Sequence, residues 1–344
     1  MAACYKIGDF FLMNEVKRIV NDIQAGDVKP IYFLMGEEPY YIDRIAEFIE
    51  NNILSEEEKG FNQMVLYGRD VSIDDIVSHS KRFPMMAEKQ VIIVKEAQDL
   101  SRTIENLVSY VENPQPSTVL VFCYKYKKLD KRKKLSKVIA KNGVLFESKK
   151  LYENQVAEWI RKVLSGKGYK IDPKSSQMLV EFLGNDLSKI NNELEKLQLI
   201  LNPEQTITPE LIEENIGISK DFNNFELQKA IGLRDERKAY NIVNYFAQSP
   251  KNHPMVMTVA LLYSFFNKLL KYHSVSDKSH AASVIGVSPY FIKDYQQASK
   301  NYTMKQVSGV ISSIREIDMK SKGVGAVNLP QADLFKELLL KIFG

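Results

Sequence analysis

The chain has 344 residues, 44% hydrophobic and 26% charged, with a net charge of +4, which describes a globular protein with apolar material for two or three cores. Its longest apolar run, Val256 to Phe266, is too short to span a membrane and is interrupted by Thr258, Tyr263 and Ser264, so it reads as a buried helix. Two distant cysteines (Cys4 and Cys123), four scattered histidines and an N-terminus with no long apolar core exclude a disulfide framework, offer no metal-binding spacing and no secretory signal, and point to a reducing cytoplasm.

From residue 30 to 150, strand signals alternate with helix signals. Pro30-Ile31-Tyr32-Phe33-Leu34-Met35 is an apolar run closed by Gly36. Gln63 to Tyr67, Gln90 to Val94, Thr118 to Tyr124 and Val144 to Phe146 are further β-rich runs, with helices expected near 40–53, 72–82, 101–112 and 131–141. Near-continuous apolar strands separated by helices predict a parallel sheet covered on both faces, an α/β architecture of the nucleotide-binding type.

From residue 151 the pattern is all-helical. Val156, Trp159, Ile160, Val163 and Leu164 form one apolar helix face, which Gly166 and Gly168 end. Asp172-Pro173 and Thr208-Pro209 are helix starts, with a capping side chain followed by proline at the first helical position. Leu187, Ile190, Leu194, Leu197 and Leu201 make a stripe of about two heptads, too short for a coiled coil and suited to packing. This helical unit ends near residue 219. Beyond it, helices are expected at Phe225 to Ile231, Arg237 to Gln248, Met255 to Tyr272, Pro289 to Ala298, Met304 to Lys320 and Gln331 to Ile342. Loops are expected at Ser274 to Ala282 and Gly323 to Pro330.

Charge is unevenly placed. Lys125 to Lys150 holds eleven basic residues against Asp130 and Glu147, so the rest of the chain is net acidic. Two readings of the Lys125 to Lys137 cluster stand side by side: contact with a DNA backbone, through Lys128, Lys131, Arg132, Lys133 and Lys134, or a solvated helix start.

The turn after the first strand carries the sharpest chemical signal. A phosphate loop has the form G-x-x-x-x-G-K-[ST]: glycines let backbone N–H groups wrap the phosphates, Lys reaches the β and γ phosphates, and the hydroxyl binds Mg²⁺. Here the strand runs into Gly36-Glu37-Glu38-Pro39-Tyr40-Tyr41, with one glycine, no Lys, and no Ser or Thr before Asp43. The two carboxylates repel phosphate and Pro39 removes a donor, yet both carboxylates and Pro39 suit a helix start. The strand Val91-Ile92-Ile93-Val94 ends in Lys95-Glu96, with a lysine where a hydrolase places its metal-binding aspartate. The turn therefore predicts a helix start without phosphate chemistry, and a protein that binds rather than hydrolyses.

Several segments, in order, carry a resemblance to one family. They are Lys29-Pro30-Ile31-Tyr32-Phe33-Leu34-Met35-Gly36-Glu37-Glu38-Pro39-Tyr40-Tyr41, Phe83-Pro84-Met85-Met86-Ala87-Glu88-Lys89-Gln90-Val91, and Leu129-Asp130-Lys131-Arg132-Lys133-Lys134-Leu135. The run Gly184-Asn185-Asp186-Leu187-Ser188-Lys189-Ile190-Asn191-Asn192-Glu193-Leu194-Glu195-Lys196-Leu197 is the most specific, followed by Asn224-Phe225-Glu226-Leu227 and, near the end, Ile317-Asp318-Met319-Lys320-Ser321-Lys322 with Leu338-Leu339. Together they resemble the delta subunit of the bacterial DNA polymerase III clamp loader. The resemblance implies a degenerate ATPase-like α/β domain over 1–150, a small helical lid over 151–220 and a helical collar over 221–344. It implies a subunit of a DNA-directed DNA polymerase (nucleotidyltransferase) holoenzyme with no catalytic activity and no cofactor of its own, since other subunits bind and hydrolyse the ATP.

Its implied partners are the sliding clamp (beta subunit), the gamma/tau and delta-prime subunits through the collar, and primed DNA; its implied task is to open one clamp interface. The family's clamp contact is a pair of apolar side chains after a helix and before a strand, which falls here on Met85 and Met86, behind Phe83-Pro84. Many members carry Leu-Phe there, so Met-Met is a departure, tolerable because Met fills irregular apolar pockets. Pro84 is expected to stop the preceding helix and hold the pair outward. Taken without the resemblance, two adjacent methionines read as core. Met1 to Leu12 departs from the family's usual opening and reads as an extension or a misassigned start. The alternative function is a helical scaffold or DNA-binding protein outside replication.

Overall fold

Five apolar runs become the five strands of a parallel sheet. The computed structural model describes residues 14–203, 205–325 and 329–344, so Met1 to Leu12, with Cys4, lies outside the described residues, as does part of the Gly323 to Pro330 loop. The chain divides into two compact units. The first comprises Met1–Tyr152, Lys162–Gly168 and Asp186–Asn192, and the second Glu153–Arg161, Tyr169–Asn185 and Glu193–Gly344.

In the first unit α1 (Asn14–Gln24) leads into β1 (Ile31–Gly36), α2 (Pro39–Asn52), α3 (Glu56–Asn62), β2 (Gln63–Tyr67), α4 (Ile73–Ser80) and β3 (Gln90–Lys95). Next come α5 (Val108–Glu112), β4 (Thr118–Lys125), α6 (Lys134–Asn142) and β5 (Val144–Ser148). The helix expected over 101–112 is instead a 3₁₀ turn, Ile104–Leu107, followed by the five-residue α5, and another 3₁₀ turn, Ala97–Leu100, precedes that stretch. The strand order is β2-β3-β4-β1-β5, all parallel.

Every residue of β1 is buried, because alternate side chains face two covered surfaces. Ile31, Phe33 and Met35 join Ile92, Val94, Leu120 and Phe122 in a core closed by Ile73, Ile76, Val111, Leu135 and Ile139 from the helices. α2 lies over the sheet on β1, β3, β4 and β5, and α1 packs on α2. Since β1 pairs with β4 on one side and β5 on the other, the chain changes direction across the sheet at β1. The C-terminal end of β1 is therefore where an open α/β sheet offers its ligand crevice.

The second unit is built mainly from helices. These are α7 (Glu153–Gly166), α8 (Pro173–Leu183), α9 (Leu187–Ile200), α10 (Pro209–Ile216), α11 (Asn224–Gly232), α12 (Glu236–Gln248), α13 (Met255–Ser274), α14 (Ala281–Ile285), α15 (Ile292–Asn301), α16 (Met304–Ser321) and α17 (Gln331–Phe343), with short segments of α7 and α9 grouped in the first unit. The two-residue strands β6 (Lys170–Ile171) and β7 (Thr206–Ile207) pair in parallel. α8 and α10 begin where the sequence sets them, with Asp172 accepting from the Lys174 N–H and Pro209 opening α10 after Thr208. Leu187, Ile190, Leu194, Leu197 and Leu201 are all buried. α11 to α17 share one core that includes Ile231, Phe246, Phe266, Tyr302, Ile314 and Phe335. No helix among the described residues is long and apolar enough to cross a membrane.

Candidate functional site

The turn leaving β1 keeps a helix start and fills its own donors. Glu38 is the N-cap of α2, its carboxylate accepting from the Tyr40 N–H at 3.1 Å, with Pro39 at the first helical position. The Glu37 N–H donates to the Ser148 carbonyl at 2.9 Å, and the Gly36 N–H donates to Lys127 O at 3.1 Å. The Glu38 N–H reaches the same Ser148 carbonyl at 3.5 Å. From Gly36 to Tyr40 each N–H is thus engaged within the chain, and Pro39 has none. Glycine is required at position 36: its φ is 133°, and a Cβ there would lie 2.0 Å from the Ser148 carbonyl oxygen. The Ser148 carbonyl at the end of β5 thus takes backbone donors that a phosphate would need. Burial pushes the Glu38 carboxyl above the usual carboxylate range, although its bond from Tyr40 pulls the other way.

The ends of the neighbouring strands hold a built-in cation. Lys125, the last residue of β4, places its ammonium 2.8 Å from Asp43 Oδ1 on α2 and 2.9 Å from Glu96 Oε1 after β3. Glu96 adopts a left-handed conformation (φ 51°), and its other carboxylate oxygen accepts from Gln98 Nε2 at 2.7 Å. Gln98 in turn accepts from the Lys125 N–H at 3.1 Å. Burial alone would lower the Lys125 pKa, but the bonds to Asp43 and Glu96 outweigh it and raise the ammonium above its ordinary value. For Glu96, burial would raise the carboxyl, and the bonds from Gln98 and Lys125 outweigh it and hold it low. Lys95 faces Glu50 at 3.5 Å.

The basic run is internally paired. Lys128 lies 3.1 Å from Glu37 and 3.2 Å from Glu147, and Lys131 lies 2.7 Å from Glu147. Lys133 meets Glu105 at 3.2 Å and Lys134 meets Glu112 at 2.6 Å. Arg132 grips Asp130 at 2.8 Å, and this holds the Asp130 carboxyl down at about 2. Arg132, Lys131, Lys133 and Lys134 nonetheless face solvent, where such pairs are weak and exchange partners readily.

The apolar pair sits in a loop at the other end of the sheet, before β3. α4 ends at Ser80, whose hydroxyl donates back to Ile76 O at 2.7 Å, and the Lys81 N–H closes the helix on Val77 O. Pro84 therefore does not stop the helix, which has ended three residues before Phe83; it constrains Phe83 instead, since a residue before proline is driven out of the helical region. Phe83 is 78% exposed, Met85 62% and Met86 102%, the reverse of the core reading that two methionines invite. Met86 adopts a left-handed conformation with φ 52°.

Asn62, at the end of α3, carries no signal in the sequence and hydrogen-bonds the backbone of this loop. Its side chain is buried, with Oδ1 accepting from the Met85 N–H at 2.6 Å and Nδ2 donating to the Met85 carbonyl at 2.9 Å. Nδ2 also donates to Glu58 O at 3.1 Å. The preceding residue, Phe61, is 78% exposed and equally carries no signal in the sequence. In the second unit, a cavity of about 670 Å³ is lined by Phe225, Phe265, Tyr295, Lys229 and Lys293, and contains none of the expected site residues.

The family model described as "DNA polymerase III, delta subunit" matches residues 32–149, and that described as "DNA polymerase III delta subunit, C-terminal domain" matches residues 221–335. The DNA polymerase III subunit delta of Bacillus subtilis (strain 168) is 24% identical over 334 residues, covering 93% of each chain. The probable DNA polymerase III subunit delta of Aquifex aeolicus (strain VF5) is 22% identical over 308 residues, covering 85% of this chain and 86% of the other. Among solved structures, the Bacillus subtilis DNA clamp loader delta protein superposes with a TM-score of 0.53 at 23% identity, covering 95% of this chain and 99% of that one. This likeness supports the expected fold: a parallel α/β domain followed by all-helical regions.

Proposed function

The chain belongs to the DNA polymerase III delta-subunit family, and from that premise we propose that it binds the ring-shaped sliding clamp through Met85 and Met86 and opens one clamp interface for loading onto primed DNA. The observation that carries this reading is the exposure of Met85 and Met86 on a short loop between α4 and β3. Adjacent methionines left open to water contribute little to this chain's own stability and suit an adaptable apolar pocket on a partner. Phe83 and Pro84 flank the pair, Phe83 as a further apolar contact and Pro84 as the constraint on its backbone.

The filled turn after β1 supports a subunit without nucleotide hydrolysis of its own. In this reading the gamma/tau and delta-prime subunits bind through the helical collar, 221–344, and supply ATP turnover. The lid spans 151–220, the α/β platform ends at 150, and the site of action is the cytoplasm. Lys128, Lys131, Arg132, Lys133 and Lys134 offer exposed cations that can exchange an in-chain carboxylate for a DNA phosphate.

The test is capture of the cognate sliding clamp by the full chain, wild type against Met85→Ala/Met86→Ala. Burying a methionine fully contributes about 1.5–3 kcal/mol, and both side chains begin largely exposed, so the double variant is expected to bind at least about 30-fold more weakly while its thermal unfolding is unchanged. Clamp binding that survives the double substitution assigns the contact elsewhere. A wild-type chain that captures no clamp refutes the function.

A further inference from the structure

Exposed methionines on a loop are costly to hold in one geometry, and the structure shows what holds these. Among the described residues, the backbone of residues 83–88 makes hydrogen bonds only with the Asn62 side chain. An amide that donates to and accepts from the same residue reproduces the bonding of a β-bridge and fixes both the position and the rotation of the Met85 peptide units. The next residue, Met86, sits at φ 52°, a region that a residue with a side chain occupies only where its surroundings impose it. The third Asn62 bond, to Glu58 O, ties the bracketing amide to the frame of α3.

We propose that Asn62 is the positioning residue of the clamp-binding loop: by bracketing the Met85 backbone it holds Met85 and Met86 outward in the conformation that enters the clamp's pocket, so the free protein is already competent to bind. This inference rests on the clamp-binding reading of Met85 and Met86. Asn62 itself is buried behind the loop and acts through it. Without the bracket, the competent conformation becomes a minor member of the loop's ensemble, and apparent affinity falls by that fraction.

The experiment measures association and dissociation rates for the purified cognate sliding clamp on the full chain: wild type, Asn62→Ala, Asn62→Ser and Met85→Ala/Met86→Ala. Deuterium exchange of residues 83–89 and of β3 is followed in the free proteins. Losing two net hydrogen bonds is expected to weaken binding about 10- to 30-fold in Asn62→Ala, mostly through slower association. Asn62→Ser, which keeps a hydroxyl for one bond, falls between it and wild type. The loop exchanges faster in both variants while β3 stays protected, which a general loss of folding would not produce.

If Asn62→Ala proves unfolded, Asn62→Ser alone carries the test. Wild-type affinity in a folded Asn62 variant overturns the proposal, provided the methionine double variant has lost binding. A weakening confined to dissociation also overturns it, since a residue touching the clamp would give that result. If the methionine double variant binds like wild type, the clamp-binding reading falls instead.

Discussion

Lys125→Met tests whether the chain supplies its own cation at the sheet's crevice. Methionine keeps the length and apolar stem of Lys125 and removes the ammonium between Asp43 and Glu96, at 2.8 and 2.9 Å. The Lys125 side chain is 14% exposed and the two carboxylates 40%, so the variant leaves two half-buried anions facing each other without a counter-ion. Breaking a fully buried pair costs about 3–5 kcal/mol; rehydration of carboxylates this exposed cuts that to roughly 2–3 kcal/mol. For a unit of this size the midpoint of thermal unfolding falls by roughly 5–10 °C near pH 7.

The pH dependence has a definite sign. The raised Lys125 pKa gives a contribution fully present below its ordinary value of 10.5 and lost only as pH climbs through the raised one. The lowered Glu96 pKa gives a contribution present above its ordinary value of 4.5 and lost as pH falls through the lowered one. The gap between wild type and Lys125→Met is therefore flat across neutral pH and narrows in acid. Calorimetry from about pH 2.5 to 9 checks it. An unchanged midpoint at pH 7, or a gap that widens toward acid, refutes the reasoning.

In the second unit, Glu226 is 5% exposed and bridges Lys174, at 2.6 Å, and Lys238. Burial would raise its carboxyl, and the two lysines outweigh this and hold it low, so Glu226→Ala is expected to destabilise the unit by about 2 kcal/mol at pH 7 in chemical denaturation. The difference shrinks below the ordinary carboxylate value, and a loss independent of pH would speak against the ion pairs as its cause. For the basic run, Lys131→Ala and Lys133→Ala in a reconstituted loader should each lower the salt slope of primed-DNA binding by about one. An unchanged slope leaves these lysines to Glu147 and Glu105 alone.

What the sequence discloses here divides along the range of the interactions. The five strands fall where apolar runs end in turn residues, and the α2 and α8 starts fall on Glu38-Pro39 and Asp172-Pro173, because caps and periodicity act within a few residues. The missing phosphate chemistry of Gly36 to Tyr41 is legible for the same reason. That the turn's donors go to the Ser148 carbonyl is not, since β5 reaches it only through the parallel pairing with β1. α3 is not legible in the sequence because its Glu-rich segment has no apolar stripe, and its contribution is a single buried amide acting across 23 residues.

Met85 and Met86 show the limit most clearly. Hydropathy places them in a core, yet a loop has no period to say which way its side chains face. Their exposure follows from a helix that ends at Ser80, a proline at 84 and an asparagine from another element. Each of these is ordinary alone, and only their convergence at one end of the sheet leaves the pair exposed.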